Sequence, residues 1–320
     1  MALTKTFPTD RPAGLPVADT RLINAGLVEC NMAGVPRVGI LPAHYNPLVT
    51  GTAGMAYQVA AFNAVTSRSG SGVEYVANDG AATVATTAAP GANSRIDVIW
   101  VRSLFTTYAD GSSDPVFGVT QGVASASPSK PAIPAGALEL ATAVVLSTTT
   151  QTSTAVITQT HTYTAMEGGI VALRSQAEQD AWSPADGSTA YRIDSKITYK
   201  RLNGVWMPWD SDWLTASAGI SASSGAINDG TASHRYKYAS GAIIDTITIN
   251  IINAGTGSGA LNVGMPFTVA GTWMGTGRSE IDGSQLQVRV QVANATVFKY
   301  NNATAIAVGT MYLTVVCGLT

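Results

Sequence analysis

Residues able to do chemistry are sparse in this chain and widely separated. The three histidines, His44, His161 and His234, share no H-x-x-x-H or H-E-x-x-H context, the spacing that sets two imidazoles on one helix face for zinc. No G-x-S-x-G stretch is present to make a nucleophile elbow. The glycines at 255–259 lack a following Gly-Lys-Ser/Thr and do not form a phosphate loop. Asp110-Gly-Ser-Ser-Asp114 offers two carboxylates to Ca²⁺. A calcium cage needs roughly six oxygen ligands, so a solvated hairpin tip is the preferred reading. Cys30 and Cys317 have no CxxC spacing and read as small buried residues, with a disulfide between them as the alternative. No catalytic residue, metal site or cofactor is assigned.

Groups suited to binding are more promising. Trp273, Arg278, Glu280 and Asp282 fall close together, around an expected loop at Gly275–Ser284. An aromatic face with a few fixed polar groups suits a saccharide. A charged loop is the plain reading. A third is hydrolysis, if Glu280, Asp282 and Asp245 faced a cleft at ~5–10 Å as glycosidase carboxylates do. Tyr236 and Tyr238 are two apart, so on a strand they share a face. Outward, they form an aromatic pair beside Arg235 and Lys237; inward, the preferred reading, they are core. His161, in Gln159–Tyr163, is read as a surface residue, or as lining a trimer axis where it could hold an anion or metal.

Composition narrows the class. Only 12% of residues are charged, about half the usual share. The 32 glycines and 14 prolines are scattered, which favours many turns over long helices. Net charge is −2 with no Lys/Arg cluster, so nucleic acid is not an expected partner. MALTKTFPTDRPAGLP lacks the apolar core of a signal peptide, and no run of about 18 apolar residues predicts a membrane span.

The elements that must position these groups are mostly strands. Residues 1–20, with Pro8, Pro12 and Pro16, read as an extended arm or a disordered tail. Residues 21–165 predict a β-sandwich or barrel. Its strands are Arg21–Val28, Arg37–Leu41, Met55–Ala60, Gly72–Ala77, Ala82–Thr86, Arg95–Leu104, Val116–Gln121 and Leu138–Thr148, separated by Gly, Pro and Asn turns. Residues 166–212 predict a neck module. Ser175-Gln-Ala-Glu178 is a capping box that opens a short helix ended by Pro184, and Asn203-Gly204 closes a hairpin. Residues 213–320 alternate polar and apolar over Thr246–Ile251 and Gln285–Val292, with Thr310–Cys317 as a final strand, predicting a jelly-roll-like sandwich.

Two stretches carry a family resemblance. Asn93–Arg102 reads NSRIDVIWVR and Pro131–Val145 reads PAIPAGALELATAVV. The pair resembles the N-terminal domain of minor tail and baseplate proteins of long-tailed bacteriophages, where R-[IV]-D-x-[IV] precedes a hairpin and P-x-[IL]-P-x-x-[AS]-L. The helix-then-hairpin unit from Ser175 to Trp209 is similar to a small module of phage tail fibres. The resemblance implies a homotrimeric virion protein that docks on other tail proteins through 21–165. Residues 213–320 would contact a host surface glycan by multivalent, non-catalytic binding. A virion-associated glycan hydrolase or esterase is the alternative; a secreted bacterial adhesin is disfavoured by the missing signal peptide.

Overall fold

The computed structural model describes residues 16–41, 47–68, 72–297 and 305–318; His44 and residues 1–15 of the expected arm lie outside them. The chain is all-β, 55% strand and 7% helix. It divides into two compact units, Met1–Ala190 and Tyr191–Thr320, a division that falls within the expected 166–212 module.

In the first unit, helix α1 (Val17–Ala25) precedes eleven strands and a second helix. The strands are β1 (Gly39–Leu41), β2 (Val49–Gly51), β3 (Ala56–Val59), β4 (Phe62–Thr66), β5 (Glu74–Asn78), β6 (Ala82–Ala85), β7 (Ser94–Arg102), β8 (Val116–Gln121), β9 (Leu138–Leu146), β10 (Val156–Gln159) and β11 (Ile170–Leu173); α2 is Gln176–Ala181. Three antiparallel sheets form, ordered β1-β4-β5, β2-β3-β6 and β10-β9-β7-β8. They enclose one core containing Ile40, Leu48, Tyr57, Phe62, Ile99 and Leu140. β7 is central in its sheet, and Val98, Ile99 and Val101 are buried on its two sides.

The expected strand Arg21–Val28 is instead mostly helix α1, which also takes residues 17–20 from the expected arm. Pro16 is the N-cap, its carbonyl accepting from Thr20 N at 3.0 Å. The one buried residue of α1 is Arg21, whose guanidinium meets the Glu74 carboxylate and donates to Gly72 O at 3.1 Å. An ion pair rather than an apolar stripe holds the helix, so periodicity carried no signal for it. α2 starts where expected, with Glu178 N donating to Ser175 Oγ at 3.3 Å. The return half of the capping box differs: the Glu178 carboxylate accepts from Arg174 N at 2.8 Å and pairs with Arg37.

After β12 (Thr189–Arg192), the second unit holds β13 (Ile197–Leu202), β14 (Val205–Ser211), β15 (Leu214–Ala218), β16 (Ile220–Ser224), β17 (Asp229–Ala239), β18 (Ala242–Asn253), β19 (Ser258–Ser279), β20 (Gln285–Val297) and β21 (Gly309–Gly318). Asn203 and Gly204 have φ of 51° and 75°, the two left-handed residues of a type I′ turn. The antiparallel order is β13-β14-β17-β18-β21-β19-β16, with β15 on β17 and β20 on β19. β19 spans 22 residues. Its start pairs with β16 and its end with β21, with register shifts against β20 between them. The sheet turns over a core built by strict alternation: Ile243, Ile247, Ile249 and Ile251 on β18, Leu286, Val288 and Val290 on β20, and Met311, Leu313, Val315 and Cys317 on β21.

The expected loop Gly275–Ser284 is also corrected. Residues 275–279 end β19, and only the segment after Ser279 turns. Gly275 and Gly277 allow β21 to approach closely. A Cβ on Gly275 would lie 2.3 Å from Val315 Cγ1, and one on Gly277 would lie 2.4 Å from Tyr312 O.

Candidate functional site

Alternation that fills the core of the second unit with one set of side chains sends the other set outward. Across six neighbouring strands, β15-β17-β18-β21-β19-β20, the outward residues align in two cross-strand rows. One row is Thr215, Arg235, Thr246, Thr314, Thr276 and Gln287; the other is Ser217, Ser233, Thr248, Tyr312, Arg278 and Gln285. Every member is polar, and neither row contains a carboxylate. With strands about 4.8 Å apart, each row runs about 24 Å.

Each end of the face holds a shallow trough. One, of about 580 Å³, is lined by Thr215, Ser217, Ser233, Arg235, Thr246 and Thr248 among others. The other, of about 530 Å³, is lined by Thr276, Arg278, Gly283, Gln285, Tyr312 and Thr314 among others. An adjoining hollow shares Arg278, Gly283 and Tyr312 and adds Glu280. Arg278 and Tyr312 are cross-strand partners, and Tyr312 is 46% exposed.

This arrangement keeps some of the expected site and dissolves the rest. Arg278 and Glu280 share a hollow. Asp282 stands in the adjacent turn and accepts from Ser284 N at 3.1 Å. Trp273 is on the opposite side of β19: it packs against the core, over Gly318. Arg278 is five positions after Trp273, an odd offset that puts them on opposite faces of one strand. Tyr236 and Tyr238 also point inward and pack on the core, with ring centroids 6.2 Å apart and Tyr236 5.4 Å from Phe267. Burial raises both phenols, Tyr238 to about 12. Neither belongs to a surface aromatic pair. The aromatic beside Arg235 and Lys237 is Trp213, with the two cations 4.7 and 5.2 Å from its ring centre. Tyr312 was missed because its neighbour Arg278 is 34 positions away in sequence.

Asp245 is no surface acid. It lies within the core and its Oδ2 is 2.7 Å from His234 Nδ1, both side chains being fully buried. His161, expected at the surface or on an axis, is 0% exposed. Its Nδ1 is 3.1 Å from Leu140 O, it stands edge-on to Tyr163, and Arg174 donates to its carbonyl at 2.8 Å. Burial, then the nearby Arg174 charge, lowers its pKa to about 4. Asp110 is not a solvated tip. Arg68 grips it with two hydrogen bonds of 2.9 and 2.7 Å, and Arg102 adds a third at 3.1 Å. The Arg68 hydrogen bond leads in lowering its pKa to about 2. Cys30 and Cys317 are both free thiols, the first half-buried and the second buried. Among the described residues no group of three His, Cys, Asp or Glu side chains is placed to hold a metal, and no helix is long and apolar enough to cross a membrane.

The Arg95-x-Asp97 pair within Asn93–Arg102 has a defined task. Asp97 Oδ1 accepts from Arg95 Nε at 2.8 Å, and its Oδ2 accepts from Tyr57 OH at 2.9 Å and Thr86 Oγ1 at 2.6 Å. Arg95 also donates to Ala88 O and Thr87 O, at 2.7 and 2.8 Å. The pair ties β7 to β3 and to the segment after β6. Comparison with protein-family models and with curated proteins finds no match.

Proposed function

We propose that the chain is a recognition protein of a bacteriophage tail tip. It would bind a host surface glycan without cleaving it, and would act as a homotrimer docked on other tail proteins. The observation that carries this reading is the outward face of the second unit, where two rows of hydroxyl, amide and guanidinium groups stand open to solvent. Thr, Ser and Tyr hydroxyls and Gln amides both donate and accept, as sugar hydroxyls require. The troughs are shallow, which suits many modest contacts along a surface. Three copies on one tail would multiply such contacts through effective concentration. The resemblance of Asn93–Arg102, Pro131–Val145 and Ser175–Trp209 to tail proteins supplies the phage context.

Competition for adsorption tests this reading. Purified chain added to host cells should block attachment of virions that carry it, and Tyr312→Ala should weaken the block about tenfold. Attachment unaffected at saturating protein would overturn the proposal. Release of reducing ends from host glycan by the purified chain would replace binding with hydrolysis.

A further inference from the structure

We infer that the same face is a track for an acidic polysaccharide, a hydroxyl-rich chain carrying carboxylates at intervals; this rests on the recognition reading above. Charge is the first argument. The charged members of the two rows are Arg235 and Arg278, with Lys237 beside them, and the rows hold no acid to answer them. Arg235 and Lys237 lie against Trp213 rather than against a carboxylate. Glu280 shares the Arg278 hollow at the edge of the face without forming an ion pair with it. Surface cations left out of ion pairs complement an anionic partner, and a guanidinium fork matches a carboxylate with two parallel hydrogen bonds.

Spacing identifies the kind of anion. Arg235 on β17 and Arg278 on β19 are separated by β18 and β21 and lie in different rows, two residues apart along the strands, about 16 Å at the usual strand spacings. Each strand of B-form DNA presents a phosphate about every 3.4 Å of helix axis, so most of its charges would rest on threonines. A glycan with one carboxylate in every two or three sugars would place its charges on the arginines and its hydroxyls on the rows between them. Beside the rows runs an apolar strip of Ile244, Val316 and Met274, the last two 52% and 62% exposed. Sugar rings have apolar C–H faces that can rest on such a strip, while a free anion would gain nothing from it.

The test measures binding of the full chain to immobilised hyaluronan and unsulfated chondroitin, whose uronates alternate with neutral sugars, with neutral dextran and single-stranded DNA alongside. At least one uronate polymer should bind about tenfold more tightly than dextran and than DNA, and less tightly as salt rises. R235Q/R278Q should lose about tenfold or more of that affinity with an unchanged melting temperature, and R235K/R278K should keep most of it. The inference is overturned by dextran or DNA binding as well as the uronates, by no uronate binding, or by R235Q/R278Q binding uronate normally. Recognition survives that failure if R235Q/R278Q still blocks virion adsorption. If wild-type chain neither binds a glycan nor blocks adsorption, both readings fall.

Discussion

Arg95 and Asp97 stand two residues apart on β7, turn to the same face and meet at 2.8 Å, with the Asp97 side chain wholly buried. Removing one partner of such a pair strands a charge in the interior and costs about 3–5 kcal/mol. Arg95→Met should therefore lower stability by about that amount in urea unfolding. Adding Asp97→Asn removes the stranded charge, so the double variant should recover part of the loss. Simple addition of the two single effects would show that the pair is not coupled.

His161 makes stability fall with acid. Its folded pKa is lowered to about 4, against roughly 6.5 in an unfolded chain. Between those values the unfolded chain takes up a proton that the folded chain refuses. The contribution is intact above about pH 6.5 and is lost progressively as pH falls to about 4, amounting to about 3 kcal/mol. Asp110, held down to about 2, acts in a lower window, losing its contribution as pH falls from about 4 toward 2. Denaturant titrations at pH 7 and pH 4.5 should show the fall in the wild-type chain and a much smaller one in His161→Gln. An equal fall in both would assign the acid sensitivity elsewhere.

The turn at Asn203-Gly204 isolates a backbone effect. Gly204 has φ of +75°, and a Cβ placed there would meet nothing within 4 Å. Gly204→Ala should thus cost only the left-handed conformation, about 1 kcal/mol, read as a small drop in melting temperature. Asn203→Gly should be close to neutral. A loss of several kcal/mol in Gly204→Ala would mean that the added methyl group meets a neighbour.

Legibility followed the range of each interaction. The alternation of Thr246–Ile251 reports directly which side chains are core, and the Asn-Gly turn and the Ser175 cap are local chemistry. Helix α1 was hidden because its anchor, Arg21, answers Glu74 from 53 positions away. Gly275 and Gly277 read as loop because a glycine that admits a neighbouring strand is written like one that makes a turn. Asp110 looked like part of a polar turn because Arg68 and Arg102 reach it from other segments. For the binding face, Arg278 was visible but its setting was not. The register of β19 against β21 puts Tyr312 beside it and Trp273 behind it, and register is a property of pairing rather than of either strand alone.

Strand β21 lies between β18 and β19, although it is made after both. While the ribosome adds residues 280–308, β18 and β19 each present an unfilled edge, and the isoleucines of β18 lack the Met311–Cys317 side chains that complete their core. Closure of this sheet therefore waits for synthesis to reach its last strand. Nascent chains crowded on one message would meet with those edges open, at the stage when strand exchange between copies is easiest.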